Sequence, residues 1–315
     1  MIKRRWWLGC ALMVLTLALA VGFAFRADRT LESLSARWAP SPSQFIEVNG
    51  TLLHVRDVGP REGSLPLILL HGTSASLHTW EGWVSVLQGS RRVVSFDLPG
   101  FGLTGPRGNG DYRIQSYVDD VLALMDRLQI ARAVIAGNSL GGEIAWNTAV
   151  RAPDRVAALV LVDSAGYAFV PKSIPVGFRL ARNAWTAPLV RLITPRHVVA
   201  ASVRSTFGNP DKVDEATIDR YFELTLRAGN RGALVARIEQ MEYGENAADI
   251  ARIRQPTLIL WGGRDQLIPP ENAARFHADI AGSELKVFDD LGHIPQEEDP
   301  ARTLVPVLQF LASVH

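Results

Sequence analysis

The chain has 315 residues, 47% of them hydrophobic and 21% charged, with a formal net charge of +1. That is enough apolar material for a large core, built as one α/β domain with an insertion or as two small domains. The near-neutral balance gives no argument for a nucleic-acid partner, and a single cysteine, Cys10, excludes an internal disulfide, a cysteine metal cluster and a thiol nucleophile in the rest of the chain.

Residues Trp6 to Phe25 carry no charge, and at about 1.5 Å per residue a helix of that length spans roughly 30 Å, the thickness of a bilayer core. Lys3, Arg4 and Arg5 precede it. The positive-inside rule then predicts a single N-terminal span over residues 1–28, with everything after it on the extracytoplasmic side. The competing reading is a cleavable signal with Ala18-Leu19-Ala20 as its cleavage site, which leaves a secreted or periplasmic protein. The uncleaved anchor is preferred because apolar character runs past that site to Phe25.

Residues 29–44 are polar and proline-containing and read as a linker, with a short helix over Arg29 to Trp38. Phe45 to Val48 and Leu52 to Val58 read as a hairpin around Asn49-Gly50. Leu67 to Leu70 and Val93 to Phe96 are continuous apolar runs of the kind found in strands buried on both faces. The first ends in His71-Gly72-Thr73-Ser74, the second in Asp97-Leu98-Pro99-Gly100-Phe101-Gly102. A helix is predicted from Ile114 to Leu128, a strand over Ala133 to Ala136, a helix over Glu143 to Val150 and a strand over Leu159 to Val162.

Between the last strand–helix pair lies Gly137-Asn138-Ser139-Leu140-Gly141. A G-x-S-x-G at a strand-to-helix junction is a nucleophile elbow, in which a sharp turn lifts the serine hydroxyl above the sheet. Alternation of strand and helix stops after Asp163, and residues 166–249 read as an inserted helical cap with amphipathic stretches over Ile218 to Leu226 and Leu234 to Met241. The sheet resumes at Thr257 to Trp261, which runs into Gly262-Gly263-Arg264-Asp265. A final strand, Glu284 to Phe288, leads to Gly292-His293. Ser139, Asp265 and His293 therefore follow three separate strands in the order nucleophile, acid, histidine.

These motifs together make the chain resemble the α/β-hydrolase fold family from about Phe45 to Leu311. The resemblance implies a mostly parallel, eight-stranded type of sheet flanked by helices, with core segments 45–165 and 250–315. It also implies an oxyanion hole from the backbone N–H groups of Thr73 and Leu140. His293 would take the proton from Ser139, and Asp265 would fix the histidine tautomer. Asp163 also follows a strand and is the alternative acid, with capping of the turn into the cap as its other role. His71 is read as a brace of the oxyanion loop, Asp97 as structural, and Trp80 and Trp83 as core. No metal or cofactor is expected, since nothing has ligand spacing.

The expected activity is a membrane-tethered serine hydrolase of carboxylic esters with apolar acyl or alkyl groups, acting on a small-molecule ester or a lipid. A carbon–carbon bond hydrolase of ring-cleavage products is one alternative and a non-catalytic binding module another. Residues 166–210 hold Lys172, Arg179, Arg182, Arg191, Arg196 and Arg204 and no acid. That half of the cap reads either as a surface for anionic lipid or as an ordinary solvated face.

Overall fold

The computed structural model describes residues 25–314. The span expected over Trp6 to Phe25 lies outside the described residues except for Phe25, and among the described residues no helix is long and apolar enough to cross a membrane.

Eight strands among these residues form one sheet in the order β1-β2-β4-β3-β5-β6-β7-β8. They are β1 (Gln44–Val48), β2 (Thr51–Val58), β3 (Leu67–Leu70), β4 (Val93–Phe96), β5 (Ala133–Asn138), β6 (Val156–Val162), β7 (Thr257–Gly262) and β8 (Glu284–Phe288). Only β2 runs against its neighbours; from β4 to β8 every pairing is parallel. Asn49 and Gly50 take the positive φ values, 50° and 74°, that a two-residue hairpin of this twist requires.

The uninterrupted apolar runs reflect a sheet covered on both faces, since successive side chains point to opposite sides. Ile68, Leu70, Val94, Ile135, Leu159 and Ile259 enter one core, packed by helices Ile114–Arg127 and Leu140–Arg151. Leu67, Leu69, Val93, Val134, Val160 and Leu258 enter the other, with Trp80, Trp83 and helix Pro300–Ser313. Trp80 and Trp83 are fully buried, and the Trp83 indole donates to Thr303 Oγ1 at 3.0 Å.

Between β6 and β7 the chain is helical: Val176–Arg182, Ala187–Val190, Arg196–Arg204, Glu215–Thr225 and Asn230–Glu239. The last two begin earlier than periodicity suggests. The Asp214 side chain caps one through the Thr217 N–H, and Gly229, in the left-handed region, starts the other.

The stretch expected to be a linker is docked. Helix Leu31–Trp38 buries Leu34 against Leu224, and Arg29, Arg37 and the Trp38 indole all converge on Glu223 at 3.1, 3.0 and 2.7 Å. Just upstream, Phe25 pairs with Ile193 and Arg29 with Arg227. Polar composition reads as linker only when the half-buried acceptor that organises it, Glu223, is out of sight in the sequence.

One core-to-cap contact sets a pH dependence. Glu143, in the first turn of helix Leu140–Arg151, is 8% exposed and lies 3.6 Å from Arg237 of the cap. Burial pushes its carboxyl up to about 7, partly offset by Arg237. A raised native pKa means the folded state holds this proton more tightly, so the contribution is present below pH 4.5 and lost as pH rises to about 7. Glu143→Gln, which mimics the protonated acid, should therefore raise stability at pH 8 by up to about 3 kcal/mol. It should change little at pH 4.5, as read by thermal unfolding at both pH values. An unchanged or lower midpoint at pH 8 contradicts the assignment.

Candidate active site

β5 brings the chain between β3 and β6, pairing Gly137 with Leu70 and Leu161. It then turns at Ser139, whose φ of 55° and ψ of −116° lie where serine is strained by about 1–3 kcal/mol. Backbone bonds hold the turn. The Ser139 N–H donates to Val162 at 3.0 Å, and its carbonyl accepts from the Glu143 and Ala165 N–H groups, each at 3.1 Å. A Cβ on Gly137 would fall 2.1 Å from the Gly141 carbonyl oxygen, and one on Gly141 would fall 2.1 Å from that of Leu70. The two outer glycines are thus fixed by close backbone approach.

Asp265 follows β7 and is 1% exposed. One carboxylate oxygen accepts the Leu267 and Ile268 N–H groups at 2.7 and 3.0 Å, and the other meets His293 Nδ1 at 2.7 Å. That leaves His293 Nε2 without a hydrogen-bond partner among the described residues. Ser139 and His293 line the same cavity, but the Ser139 hydroxyl makes no hydrogen bond among the described residues. Such bonds often close only when substrate is bound.

Thr73 lines this cavity as well, and a Cβ on Gly72 would sit 3.1 Å from Ser139 Cβ, which puts the loop directly against the elbow. Neither the Thr73 nor the Leu140 backbone N–H has an acceptor among the described residues. His71 braces the loop: Nδ1–H donates to the Gly72 carbonyl at 2.7 Å and Nε2 accepts the Leu98 N–H at 2.8 Å. Burial pushes its pKa down, so it stays neutral in that tautomer. Asp97 accepts from the Leu77 and Leu103 N–H groups and His54 Nδ1, each at 2.7 Å. Burial alone would raise its pKa, and the charge and hydrogen bond of His54 outweigh that to hold it well below the usual range. It is a structural acid.

The titratable atoms of Asp163, Asp265 and His293 lie within 4.8 Å of one another, all buried. Asp163 does not cap the turn into the cap. It reaches across to the end of β7, accepting the Gly262 N–H at 3.0 Å, while its second oxygen has no partner. Burial, then the nearby Asp265 carboxylate, push its pKa well above the usual carboxylate range, which favours the protonated form of Asp163.

Three features were not singled out in the sequence. Asn138, the variable residue of the pentapeptide, donates from Nδ2 to the Val162 and His293 carbonyls at 3.1 and 2.9 Å, tying elbow to histidine loop. Glu298 accepts the Gly208, Asn209 and Gly292 N–H groups, each at 2.8 Å, and the His293 N–H donates to Thr206 at 2.7 Å, so the cap and that loop are pinned together. Arg231, 4% exposed, lines the cavity with Nε and Nη1 unpartnered while Nη2 bonds Asp28 at 2.6 Å. Only an acid five residues after His293 was visible as a signal for any of these.

The cavity over Ser139 is about 130 Å³ and is walled chiefly by the cap, through Phe178, Leu180, Val190, Ile193, Val199 and Leu234.

This sheet, elbow and inserted cap define an α/β hydrolase, and residues 66–300 match the model of the alpha/beta hydrolase fold. The chain belongs to that family. Over 281 residues it is 33% identical to the dihydrolipoyllysine-residue acetyltransferase component of the acetoin cleaving system of Pseudomonas putida, covering 86% of this chain and 70% of that protein. A meta-cleavage product hydrolase from Pseudomonas fluorescens IP01 superposes with a TM-score of 0.75 at 27% identity, covering 85% of this chain and 97% of its own. A bacterial membrane phospholipase A superposes with a TM-score of 0.75 over 98% of each chain; at 23% identity this speaks to the fold alone.

The two carboxylates are separable by experiment. Asp265→Asn should lower kcat by about 10⁴-fold, since the histidine loses the acceptor that fixes its tautomer. Asp163→Asn, which copies a protonated acid, should leave kcat within a few-fold. Steady-state kinetics on one ester check both, and the reverse ranking would move the acid to Asp163.

Proposed function

We propose that this chain is a serine hydrolase that forms an acyl-enzyme at Ser139 from a carboxylic ester with an apolar acyl group. The observation that carries the reading is the apolar, cap-walled cavity shared by Ser139, His293 and the Thr73 loop. In it the Ser139 oxygen attacks the ester carbonyl while His293 Nε2 takes the hydroxyl proton. Asp265 stabilises the imidazolium, and the Thr73 and Leu140 N–H groups receive the developing oxyanion. His293 hands its proton to the departing alcohol, and water, activated by the same histidine, releases the acid and restores the serine. Removing one oxyanion donor typically costs about 3 kcal/mol in the barrier.

Carbon–carbon bond hydrolysis of ring-cleavage products is the second reading, and the comparisons favour it over ester hydrolysis. One structural relative above a quarter identity is a meta-cleavage product hydrolase. Arg231, on the cavity wall with Nε and Nη1 unpartnered among the described residues, offers a cation to a substrate carboxylate. A binding module without activity finds no support in the paired geometry of Asp265 and His293.

We also propose that the N-terminal apolar stretch tethers the enzyme to a membrane with the hydrolase domain outside the cytoplasm. The run of uncharged residues and the cations before it support this.

Ser139→Ala should abolish turnover of p-nitrophenyl esters, whereas retention of most activity in clean protein removes the serine from the reaction. Comparing kcat/KM for a medium-chain p-nitrophenyl ester with that for a vinylogous diketo acid separates the two readings. The ester should be preferred; a preference for the diketo acid, lost in Arg231→Met, selects the carbon–carbon hydrolase.

A further inference from the structure

Residues 185–193 form a wall with two faces. Val190 and Ile193 line the cavity over Ser139. Trp185, Leu192 and Leu189 are 90%, 53% and 51% exposed. Three large apolar side chains this exposed within eight residues of chain point to a contact surface. What meets this one follows from three observations.

First, the described chain begins against it: Phe25, itself 49% exposed, pairs with Ile193, and the Arg26 N–H donates to the Leu192 carbonyl at 3.3 Å. The uncharged stretch that starts at Trp6 therefore ends on this rim. Second, the charge is one-sided. No acid lies between residues 166 and 210. Lys172 pairs with Glu271, Arg196 with Glu215 and Asp219, and Arg204 with Glu215. Exposed Arg179, Arg182 and Arg191 have no ion pair among the described residues. Third, tryptophan beside arginine suits the boundary between headgroups and acyl chains, where the ring is half-buried and the cation meets lipid phosphate.

We propose that the rim made by Phe25, Trp185, Leu189 and Leu192, flanked by Arg179, Arg182 and Arg191, rests on an anionic bilayer surface, so that the cavity takes its apolar substrate from the membrane. This rests on the tethered-hydrolase reading. The tether brings the rim to the lipid, the cations orient it, and the wall that touches lipid on one face encloses the acyl site on the other.

The test uses the full chain in vesicles of phosphatidylcholine with phosphatidylglycerol. Cys10→Ser removes the native thiol, and Trp185→Cys, Leu189→Cys, Leu192→Cys and, as a control on helix Pro300–Ser313, Val305→Cys each carry a fluorescent label. The rim labels should be quenched several-fold more by lipid-borne nitroxide than by aqueous iodide, and the Val305 label the reverse. Rim labels as open to iodide as the control overturn the proposal. So do rim labels that quench one another without meeting lipid, which would seat a second copy of the chain there. Trp185→Asp with Leu189→Asp and Leu192→Asp should leave turnover of a water-soluble acetyl ester unchanged and cut turnover of a long-chain ester embedded in vesicles about tenfold. Equal turnover of the embedded ester contradicts the proposal. Lipid quenching in a protein that hydrolyses neither ester supports the docking and defeats the hydrolase reading instead, so the two fail separately.

Discussion

A single strained residue governs the layout of this molecule. Ser139 holds a left-handed backbone that serine disfavours, and it is kept there by hydrogen bonds to Val162, Glu143 and Ala165. Those bonds exist only because Gly137 and Gly141 let β5 and the following helix approach β3 at contact distances that exclude any side chain. Closing that turn ties β5 to the end of β6 and to the start of the helix that follows. The hydroxyl is left at the C-terminal end of β5 with no hydrogen-bond partner among the described residues.

The second constraint is mechanical coupling of cap to core. Glu298 gathers N–H groups from both sides, and Glu297 does the same with side chains, accepting from Thr79 of the core and from Arg220 and Tyr221 of the cap. Since His293 stands just before these acids and bonds Thr206 through its own N–H, the position of its imidazole depends on cap seating. The N-terminal arm adds a third tie: Glu223 holds Arg29, Arg37 and Trp38, and Asp28 holds Arg231 at the cavity wall. Whatever moves the arm is thereby connected to the site.

Much of this was legible in the sequence, and the reason is local. Strands buried on both faces announce themselves as runs such as Leu67 to Leu70, and an elbow needs its glycines at fixed offsets, so the order of Ser139, Asp265 and His293 is readable from the sequence. Ser139 and His293 line one cavity and Asp265 stands behind His293, bonded to its Nδ1. What could not be read were contacts whose partners lie far apart in the chain. Asn138 looks like a spacer until it meets the His293 carbonyl, 155 positions away. The docked helix Leu31–Trp38 looks like linker because Glu223 is absent from its neighbourhood in sequence. Asp163 looks like a possible acid because no sequence pattern reveals its complete burial or the Asp265 carboxylate beside it, which together raise its pKa. Three of the six cations in residues 166–210 are paired on the protein, which leaves Arg179, Arg182 and Arg191 near the rim.

The central claim is that Ser139 is a nucleophile activated by His293, and covalent trapping tests it most directly. The protein is treated with an alkyl fluorophosphonate, which loses fluoride on attack by an activated serine, and the adduct is then mapped by peptide mass spectrometry. The account predicts one phosphonyl group per chain, on Ser139, formed in step with loss of esterase activity and greatly slowed in His293→Ala. An adduct confined to another residue, or full ester turnover by protein that never acquires one, would contradict it.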